Sequence, residues 1–406
     1  DLRRDLIVAF GPQLPLTTQA RELKQKVFEL SITAWQAYSD QLDPVPLAWL
    51  RAAKRKPAAM CLADTTGPRL RNSQMVAAVA CLGSAIKLPP KDSPVAVLLP
   101  AGATATQAIM AILWQGRVAV PLSPFAPRKV LINSLNAASV GLLVTTRDIE
   151  LKLAARGIEL AQLPVGDRLL YVEDLQQRIP GWRRTLAGLQ FNLLPTAWFY
   201  RYRGRRVAPE QAAVILFDNG ASQAGVRLSH RNIMVNCKQI SDVLNMRKDD
   251  VMLSSIPASH PMGLTLGTLL PLVEGIPMVC HPEPDDSLGI AKTIARYSVT
   301  LLPASPGALG LYARSAEIHR LMLDSIRLVI CGGERLNEDI RRDFELKFGR
   351  PVYEGYGSPA TTTVASVNIP DAMDTSDWKV QQGNIPGTMG MPVPGTGLKI
   401  VDSDSG

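Results

Sequence analysis

Four short stretches hold the residues whose types and spacing could do chemistry. In AVILFDNGASQAGVRLSHRN, residues 213–232, an apolar run enters a polar, Gly-rich loop and leaves through LSHRN, which has the pattern of a helix start. That layout predicts a phosphate-binding turn around Asp218, Asn219, Gly220, Ser222 and Gly225, yet the loop holds no lysine. The second stretch is SSIPASHPMGLTLGTLLPLVEG (254–275), with His260 and Gly263. The third is LVICGGERLNEDI (328–340), in which Gly332 and Gly333 allow the backbone to approach a ligand closely beside Glu334. The fourth is VYEGYGSPATTTVASVNIP (352–370), with Tyr356, Gly357 and Ser358.

In this order and spacing, and followed by PGTMGMPVPG (386–395), the four stretches resemble the large N-terminal domain of the adenylate-forming enzymes. These include acyl-CoA and acyl-carrier-protein synthetases, luciferases and peptide-synthetase adenylation domains. Within them the chain is most similar to the synthetase half of the bifunctional acyl-[acyl-carrier-protein] synthetase/2-acylglycerophosphoethanolamine acyltransferases. The resemblance spans about residues 60–402. It implies a two-step chemistry in which a fatty carboxylate attacks the α-phosphate of ATP, pyrophosphate leaves, and a thiol takes the acyl group. Both steps need phosphate charge neutralised by backbone N–H groups, lysine and Mg²⁺. The resemblance further implies an ATP or AMP site bounded by Gly220, Ser222, Gly333, Glu334 and Tyr356, and an acyl pocket near His260 and Gly263. A structural role for His260 and simple core packing for Tyr356 stay open beside these readings.

At two points the chain departs from the family pattern. The loop 218–225 matches the family's phosphate loop only with about two residues missing, the Pro-Lys pair among them, and Asp218 places a carboxylate where a triphosphate would sit. At an effective dielectric near 20, like unit charges about 4 Å apart repel by roughly 4 kcal/mol. In the family motif Tyr-Gly-x-Thr-Glu, Pro359 and Ala360 occupy the Thr and Glu positions, so the Mg²⁺ ligand is gone. Two functions therefore compete: a synthetase domain with weakened ATP chemistry, and an inactive pseudoenzyme that serves as a docking module for a carrier protein or a membrane surface. The expected partners are a fatty acid, an acyl carrier protein or CoA, and, further, a membrane surface and a covalently linked acyltransferase domain.

The elements that must position these residues follow an α/β pattern. PVAVLLP, RVAVPL and GLLVTT from about residue 94, then AVILF, VMLSSIP, IPMVC, VTLLPAS and IRLVICGG from 213 onward, are apolar runs separated by helical segments. Such runs predict sheets buried on both faces, arranged as two α/β lobes with mixed, mostly parallel strands. The expected divisions are a linker and possible tail of a preceding acyltransferase domain at 1–59, a first lobe at 60–206, a second at 207–395, and the start of a small β unit at 396–406. Residues 19–43 have a polar amphipathic helical pattern after a short apolar strand, and the chain begins and stops in mid-pattern, as a segment of a longer polypeptide would. Between the lobes, WRRTLAGLQFNLLPTAWFYRYRGRR (182–206) interleaves aromatic residues with arginines. It suits a solvated linker packed on the nearest lobe, or a patch for an acidic protein or anionic lipid head groups.

Composition agrees with a folded protein, at 46% hydrophobic and 20% charged residues. The formal charge of +8 favours acidic partners, but no nucleic-acid motif accompanies it. No apolar run reaches the roughly 18 residues of a membrane span, and the N-terminal sequence lacks a signal-peptide layout, so the expected place is the cytoplasm or the inner face of the plasma membrane. The cysteines Cys61, Cys81, Cys237, Cys280 and Cys331 are scattered and odd in number, which predicts buried thiols rather than a disulfide framework or a metal site.

Overall fold

The computed structural model describes residues 6–86, 93–165, 168–217, 225–376 and 378–402. Two sheets organise it. The larger has nine strands in the order Met391–Pro392, Ser366–Val367, Val352–Tyr356, Leu328–Cys331, Leu301–Ala304, Met252–Ser254, Met278–Cys280, Met60–Asp64 and Arg69–Arg71. Its six central strands run parallel and the outer ones antiparallel. The second sheet orders Leu169–Tyr171, Leu142–Thr145, Val95–Leu98, Ala119–Leu122, Ala212–Phe217 and Gly225–Ser229, all parallel except the last pair. This is the expected fold class.

The apolar runs are explained by what the larger sheet buries. Side chains alternate along a strand, and here both faces are covered. Leu301, Leu328 and Ile330 point into the core shared with the second sheet. Leu302, Val329 and Cys331 point into a separate core under helices Ser287–Tyr297, Pro306–Arg314 and Glu338–Phe348. Asp64 ties the two sheets: its Oδ2 accepts from the Ala103 N–H (2.7 Å) at the start of helix Ala103–Trp114.

The sheets do not follow the chain-order division at 206/207. Met60–Asp64 and Arg69–Arg71 join the larger sheet, and Ala212–Phe217 and Gly225–Ser229 complete the smaller one, because each finds its apolar partner strand there. Residues 45–59 are also more than linker, since helix Val45–Arg55 buries Val45, Trp49 and Leu50 in the main core. Helix Ala20–Ser39 forms where the pattern placed it and buries nothing. No strand forms among the described residues 6–16 or 396–402, where Leu6, Phe10 and Ile400 stay exposed.

The aromatic-basic segment is two helices, Gly181–Leu193 and Thr196–Arg203, broken at Pro195. An aromatic cluster pins them: Trp114 meets Trp49, Phe199 and Tyr200 at centroid distances of 6.1, 6.1 and 5.1 Å. Such pairs contribute about 0.5–1.5 kcal/mol each beyond area burial. Lys54 donates to the carbonyls of Asn192 (2.8 Å) and Leu194 (3.1 Å) and also to that of Phe191, capping the first helix from its C-terminal end. All five cysteines are free and buried, and burial pushes the Cys331 thiol up to about 12, which leaves it a neutral core residue.

Candidate nucleotide site

The strands on either side of the first motif's loop form an antiparallel pair. Strand Ala212–Phe217 returns antiparallel as Gly225–Ser229, with Phe217 opposite Gly225. The helix begins within LSHRN, at His230, as its pattern indicates, and the strand Gly225–Ser229 lies between it and the loop; Ser229 and Asn232 form a capping box there: the Ser229 hydroxyl accepts from the Asn232 N–H (3.1 Å) and Asn232 Oδ1 from the Ser229 N–H (2.9 Å). Asp218, Asn219, Gly220 and Ser222 lie outside the described residues. Gly225 is the first residue of the returning strand.

Side chains that bond to distant backbone bring the other motifs to this strand pair. Asn236, on helix His230–Val243, donates to the Val364 carbonyl (2.8 Å) and accepts from its N–H (3.2 Å). Thr363 Oγ1 lies 2.9 Å from the Pro261 carbonyl oxygen and 2.6 Å from Thr265 Oγ1. The helical segment Pro261–Glu274 contains a wider turn at Thr265–Leu269, where the Thr268 hydroxyl donates to the Gly263 carbonyl (2.9 Å).

The result is a cleft of about 300 Å³, lined among others by Phe217, His260, Gly333, Glu334, Tyr356 and Ser358, with Gly332 and Gly357 beside them. Gly333 has φ +93°, and a Cβ there would come within 3.1 Å of His260 Nε2, so the ring and the turn fit only with glycine. His260 does two things: its Nδ1 accepts from the Met262 N–H (3.2 Å), capping the helix, and its ring lines the cleft. Tyr356 is 48% exposed, which rules out simple core packing, and it lines the cleft. Gly263, by contrast, lines no part of the cleft; a Cβ there would lie 2.1 Å from the Pro257 carbonyl oxygen, so its glycine serves packing.

Ser358, Pro359, Ala360 and Thr361 form a tight turn. The Ser358 N–H donates to Thr361 Oγ1 (3.0 Å) and the Thr361 hydroxyl donates back to the Ser358 carbonyl (3.1 Å), so that hydroxyl is used within the turn. Pro359 is buried and Ala360 exposed. No lysine or arginine is found among the described residues lining the cleft.

A second cavity of about 570 Å³ adjoins the cleft, with Phe125, Val130, Leu131 and Ile256 on its apolar side. Phe217, Ser259, His260, Met262 and Ser305 line both. A further cavity of about 610 Å³ lies between helices Asn72–Ala85 and Gly181–Leu193 and contains none of the motif residues.

The model of the family described as "AMP-binding enzyme" matches residues 49–406. The chain belongs to that family. Among its AMP-binding relatives, the long-chain-fatty-acid–CoA ligase of Escherichia coli is 24% identical over 336 residues, which cover 77% of this chain and 58% of that protein. The 4-coumarate–CoA ligase 4 of Arabidopsis thaliana is 22% identical over 319 residues, covering 77% and 54%. The chain thus spans little more than half the length of these relatives. The fold is shared with the crystal structure of anthranilate CoA ligase AuaEII in complex with anthranoyl-AMP, at TM-score 0.72 and 16% identity, covering 90% of this chain and 67% of that one. It is shared too with apo MatB from Rhodopseudomonas palustris, at TM-score 0.64 and 21% identity, covering 87% and 65%.

In this AMP-binding fold several residues matter that the motifs did not single out. Phe217, Met262 and Ser305 line both cavities, while Asn236 and Thr363 hold the motifs together. The signal for Asn236 was a polar residue on the buried side of a helix that otherwise buries Ile233, Cys237 and Ile240.

Proposed function

We propose that the chain is a fatty-acyl-activating domain of the AMP-binding family whose own ATP chemistry is weakened. Tyr356 stacks on the adenine, the Gly332–Glu334 turn borders the nucleoside, and the acyl carboxylate comes from the adjoining cavity past His260. The observation that carries this reading is the shared wall: five residues, His260 among them, line both cavities, so a carboxylate leaving the larger one arrives where the nucleotide's phosphate would be. Long-chain acyl substrates are favoured by the apolar side of that cavity and by the names of the ligases the chain is similar to. The acceptor is the thiol of an acyl carrier protein or of CoA, and the acyl group serves lysophospholipid acylation. Weakening is supported by the absence of lysine from residues 218–225, by Ala360, and by the lack of cations among the described cleft residues.

Titration calorimetry and ATP–pyrophosphate exchange on the full natural polypeptide test this. Mg-ATP should bind no tighter than about the millimolar range, or about 4 kcal/mol, and exchange with long-chain fatty acids should be near background. AMP should bind comparably to ATP, and Tyr356→Ala should weaken it. Brisk exchange would overturn the weakening but keep the site. Nucleotide binding indifferent to Tyr356 would overturn the site. Failure of every nucleotide and fatty acid to bind would favour the second reading, a docking module that retains the fold alone.

A further inference from the structure

Helix Gly181–Leu193 presents one face to the core and a second, apolar face to solvent. Ala187 and Phe191 are buried, while Trp182, Leu186, Leu189 and Leu193 recur at i, i+4, i+7 and i+11 on the opposite side. Helix Thr196–Arg203 is divided in the same way: Phe199 and Tyr200 pack inward, and Trp198 and Tyr202, one turn apart, stay outside. These six apolar side chains are between 38% and 72% exposed. The platform beneath them is fixed, because Arg203 donates from Nε (2.9 Å) and Nη2 (2.6 Å) to Gln190 Oε1 and Lys54 caps the end of the first helix.

Charge is concentrated in the same segment. Residues 175–209 contain seven arginines and no acidic residue, so the segment's own formal charge is +7 in a chain whose net charge is +8. Arg183, Arg184, Arg201, Arg205 and Arg206 of this segment are exposed. Indole, phenol and leucine side chains accompanied by guanidinium groups match a boundary that is negative at its surface and hydrocarbon beneath, with the arginine stems lying along the apolar layer. A soluble acidic partner would pair with the arginines but would need an apolar groove of its own to cover the leucines. A bilayer supplies both.

We propose that this helix pair docks the protein on an anionic lipid bilayer, with the helices lying in the interface and the stripe inserted. The inference does not depend on the nucleotide reading. Co-sedimentation and tryptophan emission with vesicles of phosphatidylcholine mixed with phosphatidylglycerol, against phosphatidylcholine alone, test it. Binding is expected to the anionic vesicles with a blue shift, quenching by acyl-chain-brominated lipid, and weakening in salt. Replacing Leu186, Leu189 and Leu193 by Ser, or Arg201, Arg205 and Arg206 by Gln, should each reduce partitioning about tenfold or more. Both sets are on the surface, and unchanged melting temperatures would confirm folding. Equal binding to neutral and anionic vesicles, absence of quenching, or indifference to both variants would overturn the proposal. So would capture of a soluble acidic protein through the same residues without any vesicle binding.

Discussion

Around Gly263 the carbonyl oxygens of Ile256 and Pro257 leave no room for even a methyl group, and at Gly333 a positive φ and the His260 ring impose the same restriction. Around Ala360, at the other end of the motif set, the side chain is exposed and the turn that carries it is closed by its own Thr361. The first region is held in place by backbone that fills the space, and the second by local hydrogen bonds that ask nothing of the side chain at position 360. The contrast teaches that the backbone at Gly263 and Gly333 is fixed by what packs against it, whereas the side chain at 360 can be rewritten without disturbing the fold.

The largest effect expected from breaking this contrast comes from Gly263→Ala. Its Cβ would sit 2.1 Å from the Pro257 carbonyl oxygen, so the helix or the preceding loop must move. Overpacking against backbone should cost about 3–4 kcal/mol, seen as a lower midpoint in chemical denaturation. A cost under about 1 kcal/mol would show that this region yields as easily as the other.

Next is acid. His230, where the strand pair meets its helix, is fully buried, and neither ring nitrogen has a hydrogen-bond partner among the described residues. Burial pushes its imidazole down to about 4, from an ordinary value near 6.5. The folded state therefore binds fewer protons than the unfolded one. The stabilisation is fully present above about pH 6.5 and is lost as pH falls through about 4, which amounts to about 3 kcal/mol. Denaturation between pH 7 and 4 should show this slope, and His230→Leu should flatten it. A smaller effect is expected for Thr363→Val, which strands the Pro261 carbonyl and Thr265 hydroxyl that this side chain meets. A loss of about 1–3 kcal/mol should follow, together with weaker nucleotide binding, because these bonds hold the motif 352–370 to Pro261 and Thr265, directly behind His260.

What could be seen in the sequence and what could not divides along physical lines. The motif order and the glycines of 332–333 located the cleft, because local backbone demands are written in local residue types. The returning strand was missed: GVRLS is too short to alternate clearly, and LSHRN carries the cap of the helix that follows it. The anchoring of helix 230–243 to residue 364 joins positions 128 apart, and nothing in either neighbourhood announces the other. Segment 182–206 has the composition of a linker, yet it folds as two helices because Phe191, Phe199 and Tyr200 find Trp114 and its neighbours. The pairing of strand Met60–Asp64 is equally silent in the sequence, as its parallel partner Met278–Cys280 lies far along the chain.

The smallest stability effect, and the sharpest test of the comparison, belongs to Ala360→Glu. The position is exposed, the turn is closed by Ser358 and Thr361, and Pro359 already fixes the backbone, so the new side chain should change stability by no more than about 0.5 kcal/mol. It places a carboxylate where the family motif has its Mg²⁺ ligand but leaves residues 218–225 without a lysine. Alone it should therefore shift Mg-ATP affinity less than about threefold, since one phosphate partner is still missing. With a Ser/Gly-rich loop carrying a lysine in place of 218–225, the combined variant should gain about tenfold or more, equivalent to about 1.4 kcal/mol. Calorimetry with and without Mg²⁺ separates the two contributions, because only the carboxylate's share depends on the metal. A large gain from Ala360→Glu alone would show that another cation, Arg227 on the returning strand being the nearest in sequence, already serves the phosphates. A stability loss comparable to that of Gly263→Ala would show that the two regions are not built differently after all.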